Sequence, residues 1–263
     1  MRRRLAAGLM TLGFLATAAG AQESTTWNWS GDLGAGRTVY LRNVNGEVRF
    51  ERGTGSKVEV TAVKRWRRGD PADVRIEAKM AGNGGGDIII CALWGDRSTC
   101  DEEGYHGNRD RGDRNRSNDV SVAFTVKIPA NARVDASTVN GAMRVDGTNA
   151  DISARTVNGD LEAYSAGGRV EASTVNGSIT VRNGTMGGDD LEYRTVNGSI
   201  TVELPASANA SVDFSTVNGG ITSDFPLTLE GSINPRRIRA DIGKGGPRLR
   251  ASTVNGSIRL RKS

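Results

Sequence analysis

The sequence predicts an all-β protein, built as a parallel β-helix-like solenoid from repeats about 18–21 residues long. The first observation is the tetrapeptide Thr-Val-Asn-Gly, which starts at positions 138, 156, 174, 195, 216 and 253. The second is that apolar and polar residues alternate at the same offsets before and after each copy, a pattern typical of β-strands. Units of this length cannot bury an apolar face alone, so we expect successive copies to stack.

The first 21 residues have the composition of a secretory signal peptide. Arginines at positions 2–4 precede an apolar run, which ends in the small residues Ala19-Gly20-Ala21. The run is shorter than the ~20 residues that a membrane-spanning helix needs. We therefore expect residues 1–21 to be removed on export to the periplasm or the cell surface, leaving no transmembrane segment. Residues 22–263 then form a single elongated β-repeat domain, with the regular repeats at 131–263.

The charge balance argues against nucleic acid as a partner. The chain has 35 Lys and Arg residues against 30 Asp and Glu residues, a formal net charge of +5. Three arginines lie in the predicted leader, and without them the charge is +2, which does not favour nucleic acid or an anionic membrane. His106 is the only histidine, and no ligand spacing matches a known metal site, so we expect no metal and no other cofactor.

Cys91 and Cys100 are the only cysteines. An exported chain meets an oxidising compartment, in which such a pair forms a disulfide. We expect the bond to close the local loop at 92–99 and to contribute roughly 2–3 kcal/mol of stability through loop entropy.

The part of the chain before the regular repeats also alternates as strands do, for example at Val39 and Leu41. Trp27 and Trp29 lie two residues apart, and we expect them to share a strand face and to cover an open end of the core. Residues 95–119 differ, because they are charged, rich in glycine and almost free of apolar side chains. Such a segment cannot bury enough surface to offset its ordering entropy, so we expect a flexible insert between two strands.

Each Asn-Gly pair is expected to be a turn. Before each pair the apolar residues lie an even number of positions from the motif threonine, and after it they lie an odd number of positions away, so the strand must turn at the pair. Asn-Gly readily adopts the positive φ of a tight turn. Including the related Asn-Val-Asn-Gly at 43–46, the predicted turn residues are Asn45, Gly46, Asn140, Gly141, Asn158, Gly159, Asn176, Gly177, Asn197, Gly198, Asn218, Gly219, Asn255 and Gly256.

Two architectures satisfy this pattern. In the solenoid, Asn-Gly is the corner of a coil, and coils stack in parallel so that Thr lies over Thr and Asn over Asn. In an antiparallel β-meander or sandwich, Asn-Gly is the loop of a two-residue hairpin. A hairpin requires only the turn residues to recur, whereas here Thr and Val recur as well. Parallel stacking of the coils would place identical side chains over one another in ladders, so the recurrence of Thr and Val favours the solenoid.

The repetition itself argues against a catalytic role for Thr-Val-Asn-Gly. Thr and Asn are not good general bases, and six identical copies form a surface rather than an active site. No set of carboxylates recurs at one repeat offset, so we predict no catalytic residue. We expect outward-facing groups that differ between copies, such as Arg144, Arg155 and Arg194, to bind a partner.

A resemblance to a known family rests on two stretches, Val170-x-Ala172-x-Thr174-Val-Asn-Gly177-x-Ile179-x-Val181 and Ile128-Pro129-Ala130-Asn131-Ala132. They resemble the bacterial putative adhesins with β-strand repeats, a domain family of unknown function. The resemblance covers the chain from about Val39 to Leu260, without the insert at 95–119. It implies a β-helix-like fold, an exported or envelope-associated location and no established catalytic residues.

These observations favour an exported, non-enzymatic, adhesin-like binding or scaffolding protein of the bacterial cell envelope. Its partner would be an envelope protein, a surface or a glycan. One alternative is a carbohydrate-active enzyme on a β-helix, a polysaccharide lyase or hydrolase, which requires clustered carboxylates on neighbouring coils. Another is a structural spacer that presents the 95–119 loop.

Overall fold

The computed structural model describes residues 23–81, 86–107, 118–185, 188–229 and 234–263. Within these ranges the chain is all-β apart from a 3₁₀ turn at Pro71–Asp73. Strands of successive repeats pair in parallel, in two sheets that enclose one continuous apolar core. The predicted all-β solenoid is therefore confirmed. The predicted leader at 1–21 lies outside the described residues.

In the described residues sheet A has ten strands, parallel except for the two antiparallel pairs at its first edge. Their spatial order is β1 (Glu23–Asp32), β4 (Lys57–Trp66), β9 (Ser121–Ile128), β3 (Val48–Arg52), β11 (Met143–Thr148), β13 (Leu161–Ser165), β15 (Ile179–Asn183), β17 (Ile200–Leu204), β23 (Ile258–Lys262) and β19 (Ile221–Ser223).

Over the same described ranges sheet B has eleven strands and is antiparallel only at its two ends. Their spatial order is β20 (Leu227–Leu229), β21 (Arg237–Ile242), β18 (Ala210–Asn218), β22 (Arg248–Asn255), β16 (Leu191–Arg194), β14 (Val170–Ser173), β12 (Ile152–Arg155), β10 (Arg133–Ser137), β2 (Thr38–Arg42), β6 (Ile88–Trp94) and β5 (Val74–Met80). Two short strands, β7 (Thr99–Cys100) and β8 (Tyr105–His106), form a separate hairpin.

Thr-Val-Asn-Gly forms the corner at which the chain passes from sheet B to sheet A. The threonines are buried, and five of the six hydroxyls donate to a motif glycine carbonyl of the neighbouring coil, as from Thr174 to Gly159 at 3.1 Å. The asparagines of the six copies form one row joined by five hydrogen bonds, in each of which the Nδ2 of one asparagine donates to the Oδ1 of its neighbour, as from Asn176 to Asn158 at 2.8 Å. The valines point outward and are 38–52% exposed. The corners are therefore ladders of identical contacts.

Close approach between coils, and not a left-handed backbone, explains the glycine of each corner. In the described part of the chain only glycines have a positive φ, and among the corner glycines only Gly46, at 124°, departs clearly from an extended backbone. A Cβ at Gly177 would lie 2.0 Å from the carbonyl oxygen of Gly159 in the neighbouring coil. The positive-φ turn expected at Asn-Gly is therefore not what forms the corner.

The last repeat along the chain is not the last coil of the solenoid. Strand β22 lies between β16 and β18, and β23 lies between β17 and β19. In one buried row of this order the small Ala251 lies between Tyr193 and Phe214 and keeps the two large rings apart. The chain between the last two motifs forms β20 and β21, which close this end of sheet B in antiparallel fashion.

At the opposite end, Trp27 and Trp29 of β1 are partly buried and pack against the core, as predicted. The predicted disulfide between Cys91 and Cys100 is confirmed, with the two Cα atoms 6.4 Å apart. It joins β6 to β7, and Tyr105 of β8 packs against the small apolar cluster around it. The first residues of the 95–119 insert are therefore attached to sheet B.

Two further contacts hold the insert. The buried Arg42 guanidinium donates to the carbonyl oxygen of Glu102 and, at 2.7 Å, to Oδ1 of Asp135. At the other end, backbone N–H groups of residues 67–69 donate to the Asp119 carboxylate, foremost that of Gly69 at 2.8 Å, and these bonds hold the pKa of Asp119 below its usual value. Residues 108–117 lie outside the described ranges, so the flexibility expected for 95–119 stays a prediction.

Candidate functional site

The repeats differ from one another on the outer face of sheet A. At the outward positions after successive corners the side chains are variously basic, acidic, aromatic or hydroxyl-bearing. A cleft of about 850 Å³ crosses these positions at the ends of β3, β11, β13 and β15. We call this the sheet A cleft. Its polar lining includes Arg49, Glu51, Arg52, Arg144, Asp146, Tyr164, Arg182 and Asn183.

Tyr164 is the centre of the sheet A cleft. The guanidinium carbons of Arg144 and Arg182, on the strands to either side, lie 5.0 Å and 5.2 Å from the centre of its ring. Such cation–π contacts hold the planar groups in place. Partial burial of the ring, together with the Glu162 carboxylate, raises the pKa of the Tyr164 hydroxyl. Tyr164 therefore remains a neutral donor and acceptor at physiological pH.

Both arginines beside Tyr164 are also paired with carboxylates. Arg144 contacts Glu162 directly in the in-register position of the next strand, and lies 3.7 Å from Asp146. Arg182 contacts Glu203 at 2.7 Å, and this hydrogen bond raises the pKa of its guanidinium. The cross-strand pairs and the ring contacts fix these side chains before any ligand arrives.

Arg52 lies at one edge of the sheet A cleft and is bound differently. It is exposed, and its guanidinium donates to Oδ1 of Asn149 at 3.0 Å. Among the described residues no carboxylate lies within 4.0 Å of it. Gly147 allows this position, because β11 has an irregular register here and a Cβ at Gly147 would lie 2.3 Å from the backbone nitrogen of Arg52.

The three arginines predicted to bind a partner do not lie together. Arg144 is in the sheet A cleft, whereas Arg155 and Arg194 are on the outer face of sheet B. Arg155 lies 3.6 Å from Asp135, and Arg194 pairs with Glu192 on its own strand. A mixed lattice of such ion pairs covers sheet B. Exposed pairs of this kind typically contribute little to stability.

Sequence reasoning missed Tyr164, Arg182 and Arg52. The first two occupy the second outward position after their corners, so aligning the copies at that offset would have found them. Arg52 could not be found in this way, because it reaches the cleft only through pairing of β3 with β11. Among the aspartates of the repeats, Asp146 lies on sheet A, whereas Asp135 and Asp213 lie on sheet B.

The side chains of the sheet A cleft can form hydrogen bonds and ion pairs with a ligand. Its lining offers guanidinium, carboxylate, amide and phenol groups, and contains no thiol or imidazole. In the ranges that the structure describes, no three His, Cys, Asp or Glu side chains are grouped so that they could hold a metal ion. The same residues also include no helix that is long and apolar enough to cross a membrane.

Several solved structures are similar to this chain. A putative cell adhesion protein from Clostridium sporogenes ATCC 15579 is 10% identical, with 91% of this chain and 100% of that chain covered and a TM-score of 0.44. A putative adhesin from Bacteroides fragilis NCTC 9343 is 11% identical, with 93% and 99% covered and a TM-score of 0.34. A putative lipid binding protein from Parabacteroides distasonis ATCC 8503 is 10% identical, with 92% and 97% covered and a TM-score of 0.27.

Comparison with the curated proteins gave no match. The family comparison is more specific, because the model described as Toastrack DUF4097 matches residues 106–261. That range contains all six Thr-Val-Asn-Gly corners and the central strands of both sheets. Since the match spans more than half of the chain, the protein belongs to the Toastrack DUF4097 family, a family of unknown function.

Proposed function

We propose that this is an exported, non-enzymatic, adhesin-like binding or scaffolding protein of the bacterial cell envelope, which holds an envelope component in the sheet A cleft. The observation that carries the proposal is the arrangement around Tyr164, where cation–π contacts and ion pairs fix two guanidinium groups at the wall of an open cleft. Polar groups held in advance lose little conformational freedom on binding, which favours recognition.

Export is supported by two independent features. The apolar leader ends in small residues, and the disulfide between Cys91 and Cys100 is of the kind that persists in oxidising compartments. Deleting residues 2–21 should therefore leave the protein in the cytoplasm with free thiols. Cell fractionation combined with thiol labelling measures both, and an unchanged location after the deletion would contradict export.

The binding proposal is tested with the purified protein and a cell-envelope fraction. We expect Tyr164→Leu to lower the bound amount at least fivefold, because Arg144 and Arg182 lose the ring that orients them. Arg194→Leu, on sheet B, is the matched control and should bind like the parent protein. Equal loss in both variants, or in neither, would contradict the cleft as the binding site.

The spacer alternative is tested in the same assay. A variant in which residues 108–117 are replaced by a short Gly-Ser linker keeps the disulfide, the Arg42 contacts and the Asp119 contacts. If the cleft binds the partner, this variant should retain binding. Complete loss would instead support a protein that presents its 95–119 loop.

A further inference from the structure

We propose that the sheet A cleft binds an anionic glycan, and that Arg52 holds its carboxylate or phosphate group. This inference rests on the proposed binding function and names the chemical class of its ligand. It follows from which polar groups of the cleft are already paired and which are not.

The guanidinium groups of the cleft differ in whether a carboxylate of the protein already pairs with them. Arg144 and Arg182 face carboxylates across the strands, and Arg49 pairs with Glu47 at 2.8 Å. Arg52 uses one donor for Asn149, and no carboxylate of the described residues lies within ion-pair distance. A guanidinium has five N–H donors in a planar fork, which matches a carboxylate or a phosphate in two parallel hydrogen bonds. Arg52 is therefore the group of this cleft that is open to an anion.

The cleft also offers acceptors. Glu51, next to Arg52, has no ion pair among the described residues, and Asp146 has only the long contact of 3.7 Å to Arg144. Ionised carboxylates accept hydrogen bonds and repel a bare anion. A ligand that satisfies both kinds of group needs one anionic substituent on a carrier rich in hydroxyl groups. An acidic sugar has this combination, whereas inorganic phosphate or a fatty acid does not.

The dimensions of the cleft favour a chain of sugars over a single ring. The cleft crosses four neighbouring strands, β3, β11, β13 and β15, and continues to Pro205 and Ser263, which follow β17 and β23. At roughly 4.8 Å between strands, the four strands alone span about 14 Å. Because the cleft is open at the sheet surface, a polymer can cross it without threading an end. Hydroxyl groups along such a chain would meet Tyr164 and Asp146, while the anionic group meets Arg52.

The test is a calorimetric titration of the purified protein with three probes of similar length. These are a malto-oligosaccharide that carries a single uronic acid, one that carries a single sugar phosphate, and the same malto-oligosaccharide without an anionic group. We expect at least one anionic probe to bind at least tenfold more tightly than the neutral one, and which of them binds identifies the source of the charge. Raising the salt concentration from 50 to 300 mM should weaken that binding severalfold, because exposed charges are screened.

Two variants locate the anion. Arg52→Gln keeps a polar side chain at this position but removes the charge, and should weaken binding of the anionic probe at least tenfold. Arg155→Gln removes an exposed arginine on sheet B and should change it less than twofold. Thermal unfolding of both variants checks that they fold. Unchanged affinity in Arg52→Gln, or equal affinity for the neutral probe, would overturn the proposal.

The result also separates this inference from the function on which it rests. If the envelope fraction binds in a manner that depends on Tyr164, and neither anionic probe binds, the anionic glycan is wrong while the binding function stands. If the envelope fraction does not bind either, the proposed function fails with it.

Discussion

The corners of the solenoid have the same residues in every repeat, whereas the outer face of sheet A has different residues from one repeat to the next. At the corner every copy has the same four residues, and each coil contacts the next through the same hydrogen bonds, such as that from Asn176 to Asn158. On the face, neighbouring copies place Glu162, Thr180 and Thr201 at one matched position. Identity is required where a residue contacts its own equivalent in the next coil. Variation is free where a residue faces solvent, so that is where a specific ligand site can arise.

The largest effect should come from adding one methyl group at a corner. In Gly219→Ala the new Cβ would lie 1.9 Å from the carbonyl oxygen of Gly256 in the adjacent coil, so the two coils must separate. We expect a loss of about 3 kcal/mol, since overpacked sites typically cost this much. For a chain of this size that lowers Tm by about 6–12 °C.

The adjacent residue supplies the control for this prediction. A Cβ at Gly220 would meet no atom within 4 Å, so Gly220→Ala should change Tm by no more than about 2 °C. If the two variants melted at the same temperature, close stacking would not be the reason for the corner glycine.

A smaller effect is expected from interrupting the asparagine row. Asn176 donates to Asn158 and accepts from Asn197, both at 2.8 Å, so Asn176→Ala removes two hydrogen bonds. These bonds lie at the surface, and water can replace them. We expect a loss of about 1 kcal/mol in denaturant unfolding. A loss above about 3 kcal/mol would mean that the row is cooperative beyond the sum of its pairs.

Substitutions on the outer face of sheet A should change stability little and binding strongly, unlike those at the corners. Tyr164→Leu removes two exposed cation–π contacts, each of which contributes about 0.5–1 kcal/mol, and keeps an apolar side chain on the strand. We expect unfolding to change by about 1 kcal/mol while binding to the envelope fraction is lost. A stability loss as large as that of the corner glycine would show that Tyr164 is structural.

The smallest effect is expected at the valine of the corner. Val175 is 40% exposed, and Val175→Thr keeps the β-branched shape, so stability should change by no more than about 0.5 kcal/mol. Loss of envelope binding in this variant would bring the exposed valine row into the binding surface, and the contrast between corner and face would then need revision.

The features of this fold that could be predicted from the sequence depend on residues close together in the chain, and those that could not depend on contacts between distant residues. The parity change across Asn-Gly located the corners, and recurrence of Thr and Val indicated parallel stacking, because both depend on residues close together in the chain. The reason for glycine was missed, since the atom that excludes a Cβ at Gly177 belongs to another coil. The cleft was missed in part, because Arg52 and Asn149 are 97 residues apart in sequence.

Strands β22 and β23 lie between strands that come earlier in the chain, and this affects the order in which the coils can fold. A solenoid can usually grow coil by coil, each new repeat docking on the previous one. Here β18 docks on β22, which is synthesised later, and docking it on β16 would place Phe214 against Tyr193 instead of Ala251. Contacts between distant segments form slowly. We therefore expect pulsed hydrogen exchange to show the amides of β18 becoming protected late, and together with those of β22.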